Sequence, residues 1–494
     1  AANEMKERGE NLVGPLGRQV WVSTFHSLCV KVLRREAQEI GINPNFTILD
    51  RDDQVVLIRR CLQELKLSEK RFPPAALIGA ISSAKNELIG PGEYERRVLG
   101  AWGKTVAQVY RLYQDMLLQN GSLDFDDLIG ETVRLFQECP RVLEGYQERF
   151  KYIMVDEYQD TNHAQYVLVN LLAEKHRNLC VVGDEDQSIY GWRGADIRNI
   201  LSFEEDYPDA RVIKLERNYR STKSILEVAN QVIKNNRSRK EKRLWTAGPK
   251  GEEAVYYVAR DEHDEAMFVA REIERLREKE AKNYRDFAVL YRTNAQSRVF
   301  EETFLSRGIP YKVVGGLKFY ERKEIKDILA YLRLAINPDD ILSLQRIINC
   351  PRRGIGEASL EKVMRVARER GLPPYEVMRN IGEVEGIAPR VARSIEGFVA
   401  LMDGLREDRE ELSLSSFVRE VLDKTGYLKE LESEGTVEAL ARVENIKEFL
   451  SVTREFEARS ADPTLEGFLE EVALISDIDT LNEGENGVVL MTLH

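Results

Sequence analysis

Two adjacent carboxylates follow a short apolar run, and they are the clearest chemical signal in this sequence. Residues 152–155 (YIMV) end directly at Asp156 and Glu157. Such a run, with a β-branched residue at its end, is typical of a buried strand, and ligands bind at the carboxyl ends of parallel strands. Two carboxylates at that edge suit a hard cation held by oxygen ligands and a base that orients a water molecule. A solvated acidic loop is the alternative interpretation.

A second strand and loop follow the first. Residues 179–182 (LCVV) predict another buried strand, and the loop 183–194 (GDEDQSIYGWRG) places Tyr190, Trp192 and Arg193 between glycines. Nucleic-acid bases stack on aromatic rings, and phosphates pair with guanidinium groups. The loop therefore predicts a platform for single-stranded nucleic acid. The alternative is that both aromatic residues belong to the hydrophobic core.

Further strands must position the other polar groups. The pattern predicts them at residues 19–22, 211–215, 254–258, 287–291 and 311–314, and from 487 to the end of the sequence. Thr24 and His26 lie between the first of these and a helix predicted over about 28–39, which would make an edge rich in hydrogen-bond donors. For His26 alone, a capping or core role is an equal alternative.

Two long regions contain only helical patterns, which predicts helical insertions. In the first, from about residue 46 to 120, Gly103-Lys104-Thr105 imitates the end of a phosphate-binding loop. That loop needs a glycine where Val98 stands and a preceding strand, so we expect Lys104 to be a solvated helical residue. In the second, from 337 to about 478, Gly354-Ile355-Gly356 precedes a helix. It could present backbone N–H groups to a phosphate, or be a simple turn between helices.

Composition fits a cytoplasmic globular protein of three or four domains. The chain has 494 residues, of which 43% are hydrophobic and 32% charged, and neither a membrane-spanning run nor a signal peptide is visible. Its 5 cysteines are scattered, which argues against disulfides and structural zinc. The net charge of −12 leaves local basic patches possible, such as residues 234–243 (KNNRSRKEKR).

Together these segments resemble the superfamily 1A DNA helicases of the PcrA/UvrD/Rep group, and the PcrA helicases most closely. The motifs occur in the family's order over nearly the whole chain: TFHS at 24–27, VDEYQDTN at 155–162, GDEDQSIYGWRGA at 183–195, LERNYRS at 215–221, AVLYRTNAQSR at 288–298 and LMTLH at 490–494. The resemblance implies an α/β fold of the P-loop NTPase type, with two RecA-like parallel-sheet domains, each interrupted by a mainly helical insertion. The implied boundaries are 1–46 with 121–214, insertion 47–120, 215–335 with 483–494, and insertion 336–482.

The resemblance also assigns roles at the nucleotide, with ATP and Mg²⁺ as the implied cofactors. Asp156 would hold Mg²⁺, and Glu157 would polarise the attacking water. Gln187 would sense the γ-phosphate, Arg220 would act as an arginine finger, and Tyr219 would stack on the adenine.

Single-stranded DNA and the junction between single and double strands are the implied substrates. Tyr190, Trp192 and Arg193 would stack on and brace the bases. Further contacts to the DNA would come from Thr24, Phe25, His26, Asn294, Thr492, Gly354, Ile355 and Gly356. Repair or replication-initiator proteins and RNA polymerase are the implied protein partners, and no membrane is expected.

Two parts of the family pattern are missing from the 494 residues: the G-x-x-x-x-G-K-[ST] loop and the last arginine-bearing motif. The loop supplies a backbone cradle and a lysine to the β- and γ-phosphates. We therefore expect this chain to be a truncated 3′→5′ helicase that alone binds ATP weakly and does not unwind DNA. The alternative is a non-catalytic module that binds DNA or protein.

Overall fold

The computed structural model describes residues 2–236, 239–314, 319–434, 436–460, 463–474 and 486–493. The chain divides into two compact units, and each is described by itself. Unit 1 comprises Ala1–Gly145 and Leu317–Ile475, and unit 2 comprises Tyr146–Gly316 and Ser476–His494. His494 of the last motif, residues 237–238 of the basic stretch and the predicted helical residues 475–478 lie outside the described residues.

All strand pairs of the described residues are parallel, which confirms the predicted α/β class with parallel sheets. Unit 1 contains the pair β1–β2; unit 2 contains the pair β3–β4 and a three-stranded sheet in the order β5-β7-β6. The strands are β1 Thr47–Leu49, β2 Ser122–Asp124, β3 Ile153–Val155, β4 Leu179–Val181, β5 Ala288–Tyr291, β6 Tyr311–Val313 and β7 Val488–Thr492.

Helices make up most of the remaining structure. They are α1 Ala2–Val13, α2 Phe25–Glu36, α3 Arg51–Glu64, α4 Pro74–Asn86, α5 Pro91–Arg97, α6 Gly100–Gln119, α7 Phe125–Glu138, α8 Pro140–Arg149, α9 His163–Ala173, α10 Arg198–Leu201, α11 Phe203–Asp206, α12 Lys223–Ile233, α13 Glu262–Glu280, α14 Ser297–Ser306, α15 Lys323–Ile336, α16 Ile341–Ile347, α17 Glu357–Arg370, α18 Pro374–Arg379, α19 Pro389–Glu411, α20 Leu414–Thr425, α21 Tyr427–Glu434, α22 Val437–Arg459 and α23 Leu465–Leu474.

Unit 1 is built on helix faces. On α6, Val106, Tyr110, Tyr113 and Leu117 recur at helical spacing and are all buried in a cluster with α3 and α4. A second cluster is formed by α15 to α23. Helix α15 also contacts α3 of the first cluster. Its Lys326 pairs there with the carboxylates of Asp50 and Asp52, at the start of α3.

A buried ionic network lies at the start of α7. The ammonium of Lys85 is 2.7 Å from Asp124 Oδ2 and 2.8 Å from Asp127 Oδ1, and Tyr113 donates a hydrogen bond to Asp124. Burial raises the pKa of Asp127 to about 8, and the charge of Asp124 adds to this effect. Burial acts in the same direction on Asp124, but Lys85 outweighs it, so the pKa of Asp124 is lowered. At pH 7 Asp127 is therefore largely protonated, and the ionised Asp124 balances the charge of Lys85.

The core of unit 2 lies on the three-stranded sheet. Small and apolar residues of α13 and α14 recur at helical spacing and pack against the central strand β7. The buried residues are Ala266, Ala270, Ile273, Phe300, Phe304, Val488 and Leu490.

Three strand predictions are wrong. Residues 20–23 are irregular after a 3₁₀ turn over Gly14–Gln19, and residues 211–215 and 254–258 form no strand. The last two runs expose their apolar side chains, 78% for Leu215 and 89% for Tyr256, because no described strand pairs with them. Conversely, the region predicted to be purely helical contains β1. With three residues, β1 is too short to show a periodicity, and only its pairing with β2 defines it.

Candidate active site

Strand β3 delivers the two carboxylates to the end of a parallel pair, as the sequence predicts. Val155 is in register with Val181 of β4, and the N–H of Tyr158 donates to the carbonyl of Val182 (3.0 Å). Asp156 and Glu157 are both exposed. The strand itself is less buried than expected, since Met154 is 77% exposed and only Val155 is fully buried.

Glu157 has a left-handed backbone, with φ +52° and ψ +42°. A residue with a β-carbon adopts this conformation at a cost on the order of 1–3 kcal/mol, and such residues cluster at functional sites. The turn that follows holds it, because the N–H of Asp160 donates to the carbonyl of Glu157 (3.0 Å). The water-orienting candidate therefore occupies a strained position at the edge of the sheet.

Gln159 connects this turn to the second loop, and the sequence analysis missed it. Its side chain is buried, donates from Nε2 to Glu157 Oε2 (2.8 Å) and accepts from the N–H of Asp184 at Oε1 (3.0 Å). Gly183 lies against the same amide: a β-carbon there would be 2.5 Å from Gln159 Oε1. The available signal was a neutral amide among the carboxylates of the DEYQD segment.

Gln187 lies on a 3₁₀ turn over Glu185–Gln187 and is exposed. Its Nε2 donates to Asp184 Oδ2 (2.8 Å), while the ammonium of Lys242 lies 2.5 Å from Asp184 Oδ1. Burial alone would raise the pKa of Asp184. The hydrogen bonds from Lys242 and Gln187 outweigh burial, so the pKa of this carboxyl is below its ordinary value. Hydrogen bonds thus connect Glu157, Gln159, Asp184 and Gln187 in one chain.

Three basic residues of the stretch 234–243 form ion pairs within unit 2, which weakens the case for this stretch as a local basic patch. Arg239 forms a bidentate pair with Asp186, with Nη2 2.7 Å from Oδ2. Lys240 pairs with Glu204, and Lys242 also lies 3.0 Å from Glu185. The acidic loop therefore takes up the charge of Arg239 and Lys242, and Glu204 of α11 takes up that of Lys240.

The aromatic loop presents its rings at the surface. Trp192 is 62% exposed, so its interpretation as a core residue is wrong, whereas Tyr190 is half-buried. The guanidinium of Arg193 lies 4.6 Å from the Trp192 ring centre and 5.0 Å from that of Tyr190. This cation–π arrangement braces both rings.

Asp160 ties the aromatic loop to the carboxylate turn. Burial and the nearby charge of Glu157 raise the pKa of Asp160, and hydrogen bonds from the backbone N–H groups of Tyr190 and Ile189 oppose the shift. Beyond the loop, Asn199 of α10 joins the same turn, because its amide donates to the carbonyl of Thr161 (3.0 Å).

Tyr219 and Arg220 lie on an exposed turn. Asn218 Oδ1 accepts from the N–H groups of Arg220 (3.0 Å) and Ser221 (2.8 Å). The guanidinium of Arg217 lies over the rings of both Tyr219 and Trp245, at 4.8 and 5.6 Å. Within the described residues, no hydrogen bond or ion pair joins Arg220 to Asp156 or Glu157.

Asn294 and Thr492 lie at one edge of the three-stranded sheet. Thr492 ends β7 in register with Tyr291 of β5, and Asn294 begins a 3₁₀ turn three residues after Tyr291. Because both strands run in the same direction, their carboxyl ends meet at this edge. The structure brings these two predicted DNA contacts to the same side of the sheet.

Unit 1 carries the early motif. Thr24 caps α2, accepting from the N–H of Ser27 (3.2 Å), and the imidazole of His26 packs edge-on against the ring of Phe125, with 5.6 Å between ring centres. Phe25 is the first residue of α2 and is half-buried. Burial lowers the pKa of His26 to about 4. His26 is therefore neutral at pH 7 and can contact DNA through a hydrogen bond but not through a charge.

The glycine turn of unit 1 precedes α17 as predicted. Gly354 has φ +73°, and Gly356 is the residue before the helix. Ile355 is only 2% exposed, so its side chain belongs to the core and only its backbone can face a ligand. The turn is fixed by Asn349, whose Oδ1 accepts from the N–H of Arg353 (2.8 Å). The sequence already predicted backbone N–H groups here, and the structure adds that the Ile355 side chain is buried.

Asp156 fits Mg²⁺ as one protein ligand, with substrate phosphates and water as the others. No group of three or more His, Cys, Asp or Glu residues that could hold a metal occurs in the part of the chain that the structure describes. Mg²⁺ commonly binds one or two carboxylates together with substrate phosphates and water, and the exposed Asp156 can supply such a carboxylate.

Among the described helices, none combines the length and apolarity that a bilayer crossing requires.

Comparison with known proteins gives matches along the whole chain. Residues 1–208 match the model of the UvrD/REP helicase N-terminal domain, and residues 213–494 match the UvrD-like helicase C-terminal domain. The chain is 52% identical over 500 residues to the ATP-dependent DNA helicase PcrA of Bacillus subtilis strain 168, covering 100% of this chain and 68% of that protein. The PcrA helicases of Staphylococcus aureus strain Mu50 (52% over 498 residues) and Staphylococcus epidermidis (50% over 496 residues) match with the same coverage.

Proposed function

The chain belongs to the UvrD/Rep family of helicases, and we propose that its full-length gene product is an ATP-dependent DNA helicase that moves 3′→5′ along a single strand. The observation that carries this proposal is the chain of hydrogen bonds from Glu157 through Gln159 and Asp184 to Gln187. It places a carboxylate suited to orienting water and an amide suited to a phosphate oxygen at the ends of two paired strands.

At the nucleotide, Glu157 orients the attacking water and Gln187 contacts the γ-phosphate. Asp156 would hold Mg²⁺, which would neutralise charge on the phosphates when bound. Arg220 supplies a positive charge to the transition state, a contribution of about 10³–10⁵ in rate in such enzymes. Tyr219, 81% exposed and covered on one side by Arg217, offers its ring to the adenine.

On the DNA side, the aromatic loop binds single-stranded bases. Trp192 and Tyr190 stack on them, and Arg193 adds charge toward the backbone phosphates. Asn294 and Thr492 contact the strand from the sheet edge that they share. Thr24, Phe25 and His26 add contacts from unit 1, and the backbone of the turn Gly354, Ile355 and Gly356 binds duplex phosphates.

The domain organisation that we propose follows the family: RecA-like domains at 1–46 with 121–214 and at 215–335 with 483–494, and insertions at 47–120 and 336–482. Nucleotide-driven approach of the Arg220 turn to the Glu157 turn then moves the aromatic loop along the strand, and hydrolysis allows it to return. Proteins of DNA repair and replication, and RNA polymerase, are the proposed partners in a cytoplasmic setting.

The test is Glu157→Gln in the full-length gene product, with the exposed Glu205→Gln as the matched control. A carboxylate that orients water contributes about 10²–10⁴-fold, so DNA-stimulated hydrolysis should fall by that factor while the affinity for single-stranded DNA persists. The control should hydrolyse ATP at the wild-type rate. Normal hydrolysis by Glu157→Gln would overturn the assignment.

A second candidate applies to the 494 residues taken alone: a DNA-binding module without ATP turnover. The absence of any G-x-x-x-x-G-K-[ST] pattern in this sequence favours it, because the phosphates then lack their lysine and backbone cradle. ATPase assays with single-stranded DNA on this chain and on the full-length product separate the two. Turnover by the 494-residue chain would exclude the module.

A further inference from the structure

Gln159 is a buried amide to which the proposed mechanism gives no role. Its side chain is 1% exposed, and both of its polar atoms are hydrogen-bonded. We infer that Gln159 is a positioning residue, which ties the water-orienting Glu157 to the loop that carries Gln187. This inference rests on the roles proposed above for Glu157 and Gln187, and it adds the physical connection between them.

The chemistry of its partners fixes the orientation of the amide. The Glu157 carboxylate can only accept a hydrogen bond, and the backbone N–H of Asp184 can only donate one. Nε2 must therefore face Glu157 (2.8 Å) and Oε1 must face Asp184 (3.0 Å); the reversed amide would break both bonds. Only a side chain with one donor and one acceptor at this length satisfies both partners.

The surroundings leave no room for another arrangement. A β-carbon on Gly183 would lie 2.5 Å from Gln159 Oε1 and 2.8 Å from Ile200 Cδ1, so the absence of a side chain at 183 creates the space for the amide. The main chain of Gln159 is engaged as well, since Ser188 Oγ donates to its carbonyl (3.3 Å). The loop from 183 to 188 is therefore attached to Gln159 at two points.

The bridge acts on an exposed carboxylate. Glu157 is exposed and has a strained backbone, and among the described residues Gln159 is its only side-chain hydrogen-bond donor. A neutral donor restricts the carboxylate to one direction without adding a positive charge beside it. On the other side, Asp184 accepts from Gln187 (2.8 Å), so the order imposed by Gln159 extends to the amide proposed to contact the γ-phosphate.

The first experiment measures steady-state ATPase of the full-length gene product with saturating single-stranded DNA. Gln159→Met keeps the length but removes both hydrogen bonds; kcat should fall about 10- to 100-fold, the range for hydrogen bonds to charged groups, with KM for ATP and DNA affinity within about 2-fold of wild type. Gln159→Glu keeps the acceptor toward Asp184 but places a carboxylate against Glu157, so kcat should fall further.

The matched control is Gln165→Met. Gln165 is also a glutamine that bridges by hydrogen bonds, but its amide caps α9, accepting from the N–H of Asn162 (2.9 Å). Its loss should lower the melting temperature and leave kcat unchanged. A kcat loss in Gln159→Met no larger than that in Gln165→Met would reduce Gln159 to a structural residue and overturn the inference.

The second experiment does not depend on hydrolysis. Hydrogen exchange of the Asp184 amide, measured on the 494-residue chain, should accelerate at least 10-fold in Gln159→Met and stay unchanged in Gln165→Met, because only the former removes its acceptor. Unchanged exchange in Gln159→Met would overturn the bridge. If wild-type protein fails to hydrolyse ATP, the proposed function fails, and the exchange result still decides whether the bridge exists.

Discussion

The ammonium of Lys242 lies 2.5 Å from Oδ1 of Asp184, the same carboxylate whose other oxygen accepts from Gln187. Lys242 also lies 3.0 Å from Glu185 and 3.4 Å from Asp186, so one cation serves three consecutive acidic residues. Side-chain exposure is 17% for Lys242 and 8% for both Glu185 and Asp186. The loop that presents Gln187 is therefore held by a largely buried charge cluster.

Lys242→Met should loosen this loop. Removing the cation leaves largely buried carboxylates beside one another, and we expect a loss of about 1–3 kcal/mol in unfolding free energy. Lys240→Met is the control: its pair with Glu204 is exposed, so the loss should stay below about 1 kcal/mol. Urea denaturation of both variants measures the difference, and equal losses would contradict the special role of Lys242.

Trp192→Ala should weaken binding of single-stranded DNA. An exposed indole that stacks on a base contributes about 1–3 kcal/mol, which corresponds to roughly 5- to 150-fold in Kd. Trp102→Ala is the comparison, since Trp102 is also partly exposed but stacks on Phe72 in unit 1. Fluorescence anisotropy with a labelled oligonucleotide measures both; wild-type affinity in Trp192→Ala would remove the ring from the DNA site.

Lys85→Met should destabilise unit 1 strongly. The ionised Asp124 would remain buried without its cation, and breaking such a pair costs about 3–5 kcal/mol. Lys104→Met, on the exposed side of α6, should be neutral. Thermal unfolding followed by circular dichroism distinguishes them. A Lys85→Met protein as stable as Lys104→Met would show that Asp124, like Asp127, is protonated in the native state.

Acid should destabilise unit 1 through His26. Its folded pKa is about 4, below the ordinary 6.5, so between these values the unfolded chain binds more protons. Stability is therefore full above about pH 6.5 and falls as the pH drops toward 4. Compared with His26→Gln, the wild type should lose up to about 2 kcal/mol more between pH 7 and pH 5. Urea denaturation at several pH values measures the unfolding free energy of both proteins. The same pH dependence in wild type and His26→Gln would refute the lowered pKa of His26.

Local sequence was sufficient where the signal is contained in consecutive residues. The runs at 153–155 and 179–181 are strands, and both end in the predicted polar loops, because a short β-branched run followed by glycine or carboxylates has few other structures open to it. The same logic failed at 211–215 and 254–258. An apolar run becomes a strand only when another strand pairs with it, and the sequence does not state its partner.

The sequence by itself determined the α/β class, the order of the motifs and the candidate chemistry of Asp156, Glu157, Gln187 and Trp192. Only the tertiary structure decided that Gln159 and Lys242 belong to the same arrangement as Asp184, which is 25 residues from the first and 58 from the second. It also decided that Ile355 is buried and that three basic residues of the stretch 234–243 form ion pairs within unit 2. These facts depend on contacts between segments that are distant in the sequence. Folding decides which side chains meet as hydrogen-bond or ion-pair partners, and the types of neighbouring residues do not.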